Sequence, residues 1–212
     1  MPSEFPRRRD PPVTRTFMRS RLYARRDPYL MMLWLGIFGS VLIFLFLSGL
    51  YLLRGTQTGW ERFDLPRVFW FSTIAIVASS FTLSAARRAF HQEQFVAYRV
   101  LITCTFLLAV FFTVGQVVGW RDLYAQGIQP ATNMGGAFVF LFSGLHVLHL
   151  AGGMLVLVYA LVDGWRYRRY VDSFIQTINP VKVARLRLVT LYWHFVDILW
   201  LYLFGFLLYH HV

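Results

Sequence analysis

The sequence has a single cysteine, Cys104, so it forms no internal disulfide, and it contains no cysteine-rich metal motif. Cys104 falls inside an apolar run and reads as a small core residue. Charge is also scarce. Only 15% of the 212 residues are charged, against about 25% in an ordinary soluble domain. Strict two-residue alternation over stretches of about ten residues, the pattern of barrel strands, is missing. No internal repeat, low-complexity tract or soluble domain stands out.

What remains is apolar: 57% of the residues are hydrophobic and 18% aromatic. They gather in long runs, with uncharged stretches at 30–53, 68–86, 100–118 and 134–162 and a fifth run at 188–209 whose only charge is Asp197. A bilayer is crossed by about 20 apolar residues in a helix. Buried helices of soluble proteins are usually shorter and keep a polar face. The runs therefore predict an all-α integral membrane protein, a five-transmembrane-helix bundle at 30–212 preceded by a basic tail at 1–29. The first run starts near residue 30, too late and too long for a cleaved signal peptide, and reads as an anchor.

The net charge of +11 invites a nucleic-acid reading, but its placement argues otherwise. Eight Arg lie in 1–29, Arg87, Arg88 and Arg99 in the second connection, and Arg166, Arg168, Arg169, Lys182, Arg185 and Arg187 around the fourth. That is seventeen cations on one side, against Arg54, Arg62, Arg67 and Arg121 on the other. The positive-inside rule then predicts a cytoplasmic N-terminus and a periplasmic C-terminus. Attraction to anionic headgroups accounts for the basic clusters, and no nucleic-acid partner is expected. Arg54, Trp60, Arg67 and Trp120 lie near span ends on the less basic side and are candidate lipid headgroup contacts; Trp34, Trp70 and Trp165 also suit an interfacial belt.

Small residues recur at helical spacing. Ala75, Ser79, Thr82 and Ala86 share one face of the second span, and Gly135, Ser143, His146, His149 and Gly153 one face of the fourth. Such faces let helices approach closely in lipid.

The polar groups inside the spans are few: His146 and His149 one turn apart on the fourth, and His194 and Asp197 one turn apart on the fifth. An ionised acid at the bilayer centre costs about 2.5–3.5 kcal/mol on insertion scales. His146 and Asp197 lie at similar depth, so the main expectation is a structural clasp in which Asp197 bonds an imidazole of His146 or His149. Two other chemistries use the same residues. Histidine is the commonest metal ligand, so a metal or haem site is one; a proton relay is the other. A stand-alone membrane haem protein or small transporter is thus a competing function class.

Two stretches carry a resemblance. "SGLHVLHLAGG" at 143–153 and "YWHFVDILWLYLF" at 192–204, with Trp193, His194 and Asp197, resemble signatures of the haem–copper (cytochrome c) oxidase subunit III family, in its short five-helix bacterial form. "LPRVFWFSTIAIVASSFTL" at 65–83 and "GQVVGWRDLYAQGI" at 115–128 are similar to further family segments. The resemblance implies a non-catalytic subunit of a respiratory terminal oxidase that reduces oxygen to water and moves protons. It implies packing against oxidase subunit I and other oxidase subunits, phospholipid binding, and support of stability and proton uptake. It also implies no haem or copper in this chain, both being carried by partner subunits, and a multi-pass location in the bacterial inner membrane. An accessory protein of a nitric oxide reductase is the alternative within the same resemblance. Two carboxylates of the family pattern are replaced here, one by Ser40 and one by Gly119 in "QVVGW".

Overall fold

The computed structural model describes residues 28–55, 63–166 and 180–211. The basic tail up to residue 27, Trp60 and Arg62, and Arg168 and Arg169 lie outside them. Five helices follow in order: α1 Pro28–Arg54, α2 Val68–His91, α3 Phe95–Ala125, α4 Met134–Arg166 and α5 Pro180–His211. All five are long and apolar enough to cross a membrane, and the described residues contain no strand.

Each helix outruns the apolar stretch that predicted it. α5 starts at Pro180 rather than near 188, and α3 runs from Phe95 to Ala125 rather than over 100–118. An apolar run marks only the part matched to hydrocarbon, whereas backbone hydrogen bonding continues through the headgroup zone. Thirty-two residues at about 1.5 Å each exceed the roughly 30 Å core by several turns. Arg87 and Arg88 therefore sit within the last turns of α2 and Arg99 within the second turn of α3. Proline opens α1 and α5, a position where its missing N–H costs nothing.

The bundle runs up and down. Thr82 meets Thr105 and Ser72 meets Gln116 between α2 and α3. Trp120 meets Ser143 and Thr113 meets Met154 between α3 and α4, and His149 meets Tyr192 and Asp163 meets Lys182 between α4 and α5. In each pair one number rises as the other falls, so neighbours are antiparallel. One end of the bundle therefore carries the start of α1, the α2–α3 turn, the end of α4 and the start of α5.

The small-residue faces lie at helix contacts. Ala75, Ser79 and Ala86 of α2 are buried, and Thr82 bonds Thr105 at 2.8 Å. On α4, Gly135, Ser143, His146 and Gly153 are buried; a Cβ on Gly153 would stand 3.1 Å from the Tyr192 ring. Interior aromatics complete the core, with Trp193, Trp200, Phe112 and Phe142 nearly inaccessible. α1 is the outlier. Of its residues only Ile37, Phe44, Ser48 and Tyr51 are buried, others such as Ser40 and Leu47 are half-buried, and most of the remainder is apolar and exposed.

Candidate functional site

α5 turns its aromatic signature onto α2. The Trp193 indole N–H donates to Ser79 Oγ at 2.9 Å and that of Trp200 to Thr73 Oγ1 at 2.9 Å. Between them His194 bonds Ser80 through Nδ1 and Ser84 through Nε2, the latter at 3.1 Å. Donors on α5 thus meet hydroxyls spaced along α2. Polar pairs between helices are the directional contacts available in lipid, where the hydrophobic effect no longer drives helix association. Thr73, Ser80 and Ser84 were not singled out from sequence. The signal was there: several hydroxyls within an otherwise apolar span.

The fourth helix is held from two directions. Tyr192 OH donates to the His149 carbonyl at 2.9 Å, tying α5 to α4. The His149 ring contacts the Leu145 carbonyl through Nδ1 at 2.8 Å and Ser40 Oγ through Nε2 at 3.0 Å, tying α4 to α1. A carbonyl only accepts, so Nδ1 is the donor; in the neutral ring Nε2 is an acceptor, and the single Ser40 hydroxyl hydrogen is shared between it and the Gly36 carbonyl at 2.9 Å. Ser40 is therefore a histidine partner.

His146 and Asp197 behave differently. His146 is fully buried, with Phe112 at 5.6 Å edge-on and Trp200 at 5.1 Å between ring centroids. Its two nitrogens meet no hydrogen-bonding group of the described chain, nor do the two Asp197 oxygens. Ser80 lies beside the Asp197 carboxyl, but its hydroxyl bonds His194. The expected clasp between Asp197 and His146 or His149 is not made. Depth matched, but rotation did not: His149 faces α1 and His146 is ringed by aromatics. Trp193 and His194, on the same turns of α5, are engaged by α2.

Among the described residues no three His, Cys, Asp or Glu converge on one point. His149 and His194 each use both ring nitrogens on hydroxyl or carbonyl groups.

Gly119 is a packing position. A Cβ built there would fall on the Phe69 ring, which is itself buried between α2 and α5 against Trp200. A larger residue at 119 requires Phe69 to leave. Of the candidate headgroup contacts, Arg54 and Arg67 are exposed, while Trp120 directs its indole N–H inward to Ser143 at 2.8 Å.

Residues 33–212 match the family described as cytochrome c oxidase subunit III. The chain is 32% identical over 132 residues to the probable cytochrome c oxidase subunit 3 of Mycobacterium tuberculosis (strain ATCC 25618 / H37Rv), covering 62% of this chain and 61% of that protein. It is 31% identical over 133 residues to the probable cytochrome c oxidase subunit 3 of Nocardia farcinica (strain IFM 10152), covering 63% and 61%. It is 26% identical over 144 residues to the probable quinol oxidase subunit 3 of Staphylococcus aureus (strain NCTC 8325 / PS 47), covering 68% and 67%. The matched region thus spans about three fifths of the length of the first of these relatives.

Proposed function

Since the chain belongs to the cytochrome c oxidase subunit III family, we propose that it is the non-catalytic subunit III of a respiratory haem–copper terminal oxidase in a bacterial inner membrane. In this reading it packs against subunit I and other oxidase subunits, binds phospholipid, and supports stability and proton uptake of the assembly. Haem and copper are carried by the partners. The N-terminus faces the cytoplasm and the C-terminus the periplasm, in keeping with the seventeen-to-four split of cations.

The observation that carries the reading is the family match across 33–212, which takes in all of α2–α5 and most of α1. The geometry is compatible with it. The residues most specific to the motif, Trp193 and His194, hold helix to helix, as a structural subunit requires. The nearly unburied α1 leaves a long apolar face for lipid or a partner helix.

Purification of the tagged chain from native membranes tests the proposal. The chain should arrive with a partner that has a haem Soret band, and after separation it should be colourless. A Soret band or stoichiometric copper in the separated chain would replace this reading with a membrane haem or metal protein.

A further inference from the structure

α2 carries a row of hydroxyls, and two of them are used differently from the rest. Ser72, Ser79 and Thr82 each donate back to a carbonyl of their own helix. Ser80 and Ser84, one turn apart, instead face the His194 ring of α5, Ser80 at Nδ1 and Ser84 at Nε2. Beyond Ser80 lies the Asp197 carboxyl, one turn further along α5 and only 3% exposed. Four polar groups thus stand in line: Ser84, His194, Ser80 and Asp197.

The line has a direction. α2 ends and α5 begins at the basic end of the bundle, so the path from Ser84 to Asp197 leads away from that end and inward. The apolar stretch of α2 closes at residue 86, which puts Ser84 in its last turn, next to headgroup level. Arg87 marks that level and is the charged group of α2 that faces the ring. On the same face of α5 the charged groups are Arg187, exposed two turns before His194, and Asp197 itself. Ser84, His194 and Ser80 are half-buried, whereas Asp197 is buried.

We propose that Asp197 is a reversibly protonated site that exchanges protons with water at the basic end through Ser84, His194 and Ser80. In a neutral imidazole one nitrogen donates and the other accepts. With Nδ1–H donating to Ser80 Oγ, Nε2 accepts from Ser84, and the Ser80 hydrogen is left to turn toward the carboxylate. A proton from hydronium joins Ser84 Oγ as the Ser84 hydrogen moves to Nε2. The imidazolium releases its Nδ1 proton to Ser80 Oγ, and Ser80 passes its own hydrogen to Asp197. One proton enters and one is deposited. Both serines end as neutral hydroxyls, and the ring ends neutral with its hydrogen on Nε2. Asp197 terminates the line, so release of the proton retraces these steps and resets the ring. Acid and imidazole groups are costly within a membrane and are the parts from which proton relays are built. The inference rests on the proposed function for its use, since it gives the proton-uptake role a set of groups; the exchange itself needs this chain alone.

Infrared spectroscopy of the full chain in nanodiscs tests it. The band of the protonated Asp197 carboxyl is the one absent from Asp197→Asn, and it should appear and vanish reversibly with pH. Its shift after transfer to heavy water times the exchange. His194→Gln keeps one donor and one acceptor toward the serines but does not interchange them. It should slow the exchange about a hundredfold, the scale of losing a positioned proton-transfer group, and Ser84→Ala should slow it in the same direction. Trp193→Phe, which removes the neighbouring bond to Ser79 outside the line, should exchange at the wild-type rate. Equal rates in the wild type and His194→Gln overturn the inference, as does the lack of any Asp197 band across the pH range. Circular dichroism of the variants keeps a folding defect from passing as a lost relay. Exchange that depends on His194 in a chain that purifies without a haem partner leaves the relay standing and removes the subunit reading. A haem partner together with exchange indifferent to His194 does the reverse.

Discussion

Trp193 of α5 and Ser79 of α2, 114 residues apart in sequence, are joined by a 2.9 Å hydrogen bond in a fully buried layer. The same serine hydroxyl donates to the Ile76 carbonyl at 2.7 Å, so one oxygen serves as acceptor for the indole and donor to its own helix. Trp193→Phe keeps most of the ring and removes the N–H. It should cost about 0.6–1.5 kcal/mol, the range for one buried hydrogen bond between helices. Trp193→Ala empties a large buried volume and should cost about 3–5 kcal/mol. Denaturation of the detergent-solubilised chain, followed by tryptophan fluorescence and circular dichroism, reads both; equal losses would mean that the hydrogen bond, not the ring volume, governs the site.

A carboxylate at 119 should damage the bundle. Gly119→Ala alone should destabilise by about 1–3 kcal/mol through overpacking against Phe69, and Gly119→Glu by more. Phe69→Ala in the Gly119→Glu background should recover part of the loss, because the ring is the obstacle. A double-mutant cycle on melting temperature checks this; strict additivity would show that the two positions do not compete for space.

Polar ties hold α1 to α4 and α5. Ser40 contacts His149 at 3.0 Å and Tyr202 OH donates to Ser48 Oγ at 2.9 Å. Ser40→Ala together with Tyr202→Phe should loosen α1 by about 1–2 kcal/mol, since polar contacts within membranes average about 0.6 kcal/mol each, while Phe44 and Tyr51 keep the helix packed on the rings of α4 and α5. The expected sign is faster protease cleavage in the α1–α2 connection with α2–α5 unaffected.

Neither Asp197 oxygen makes a well-aligned hydrogen bond within the described chain, although the Ser80 hydroxyl lies beside the carboxyl. Replacing the carboxyl by an amide of the same shape removes an ionisable group and still leaves an acceptor oxygen for Ser80. Asp197→Asn should assemble as well as the wild type and melt no lower. Cross-linked assembly yield and thermal melting measure it; a drop of several degrees would mean that the carboxylate is bonded by a partner subunit.

Membrane sidedness is open to labelling. Thr132, in the α3–α4 connection, and Gln92, in the α2–α3 turn, are both exposed and lie at opposite ends of the bundle. Cys104, read from the sequence as a core residue, is exposed on the outer face of α3; with it replaced by Ala, an impermeant thiol reagent applied to intact spheroplasts should label Thr132→Cys and spare Gln92→Cys. The reverse pattern would invert the topology.

The apolar runs alone determined that five helices of bilayer length exist, in what order, and near which span ends the cations gather. Those properties follow from composition along the chain, because lipid selects for length and hydropathy without regard to what a helix touches. The runs also placed the small-residue faces of α2 and α4 correctly, since a 3.6-residue period is readable directly. Helix ends were less legible, because nothing apolar marks where backbone hydrogen bonding stops in the headgroup zone. The tertiary structure decided which polar groups meet. His146 and Asp197 lie at matching depth, yet each residue along a helix turns the side chain by about 100°, so depth never specifies a partner. The rotation of α5 sends Trp193, His194 and Trp200 to the hydroxyls of α2, and that of α4 sends His149 to Ser40. His146 is left among aromatic rings. Those rotations are set by how all five helices pack at once, a property that no single span contains.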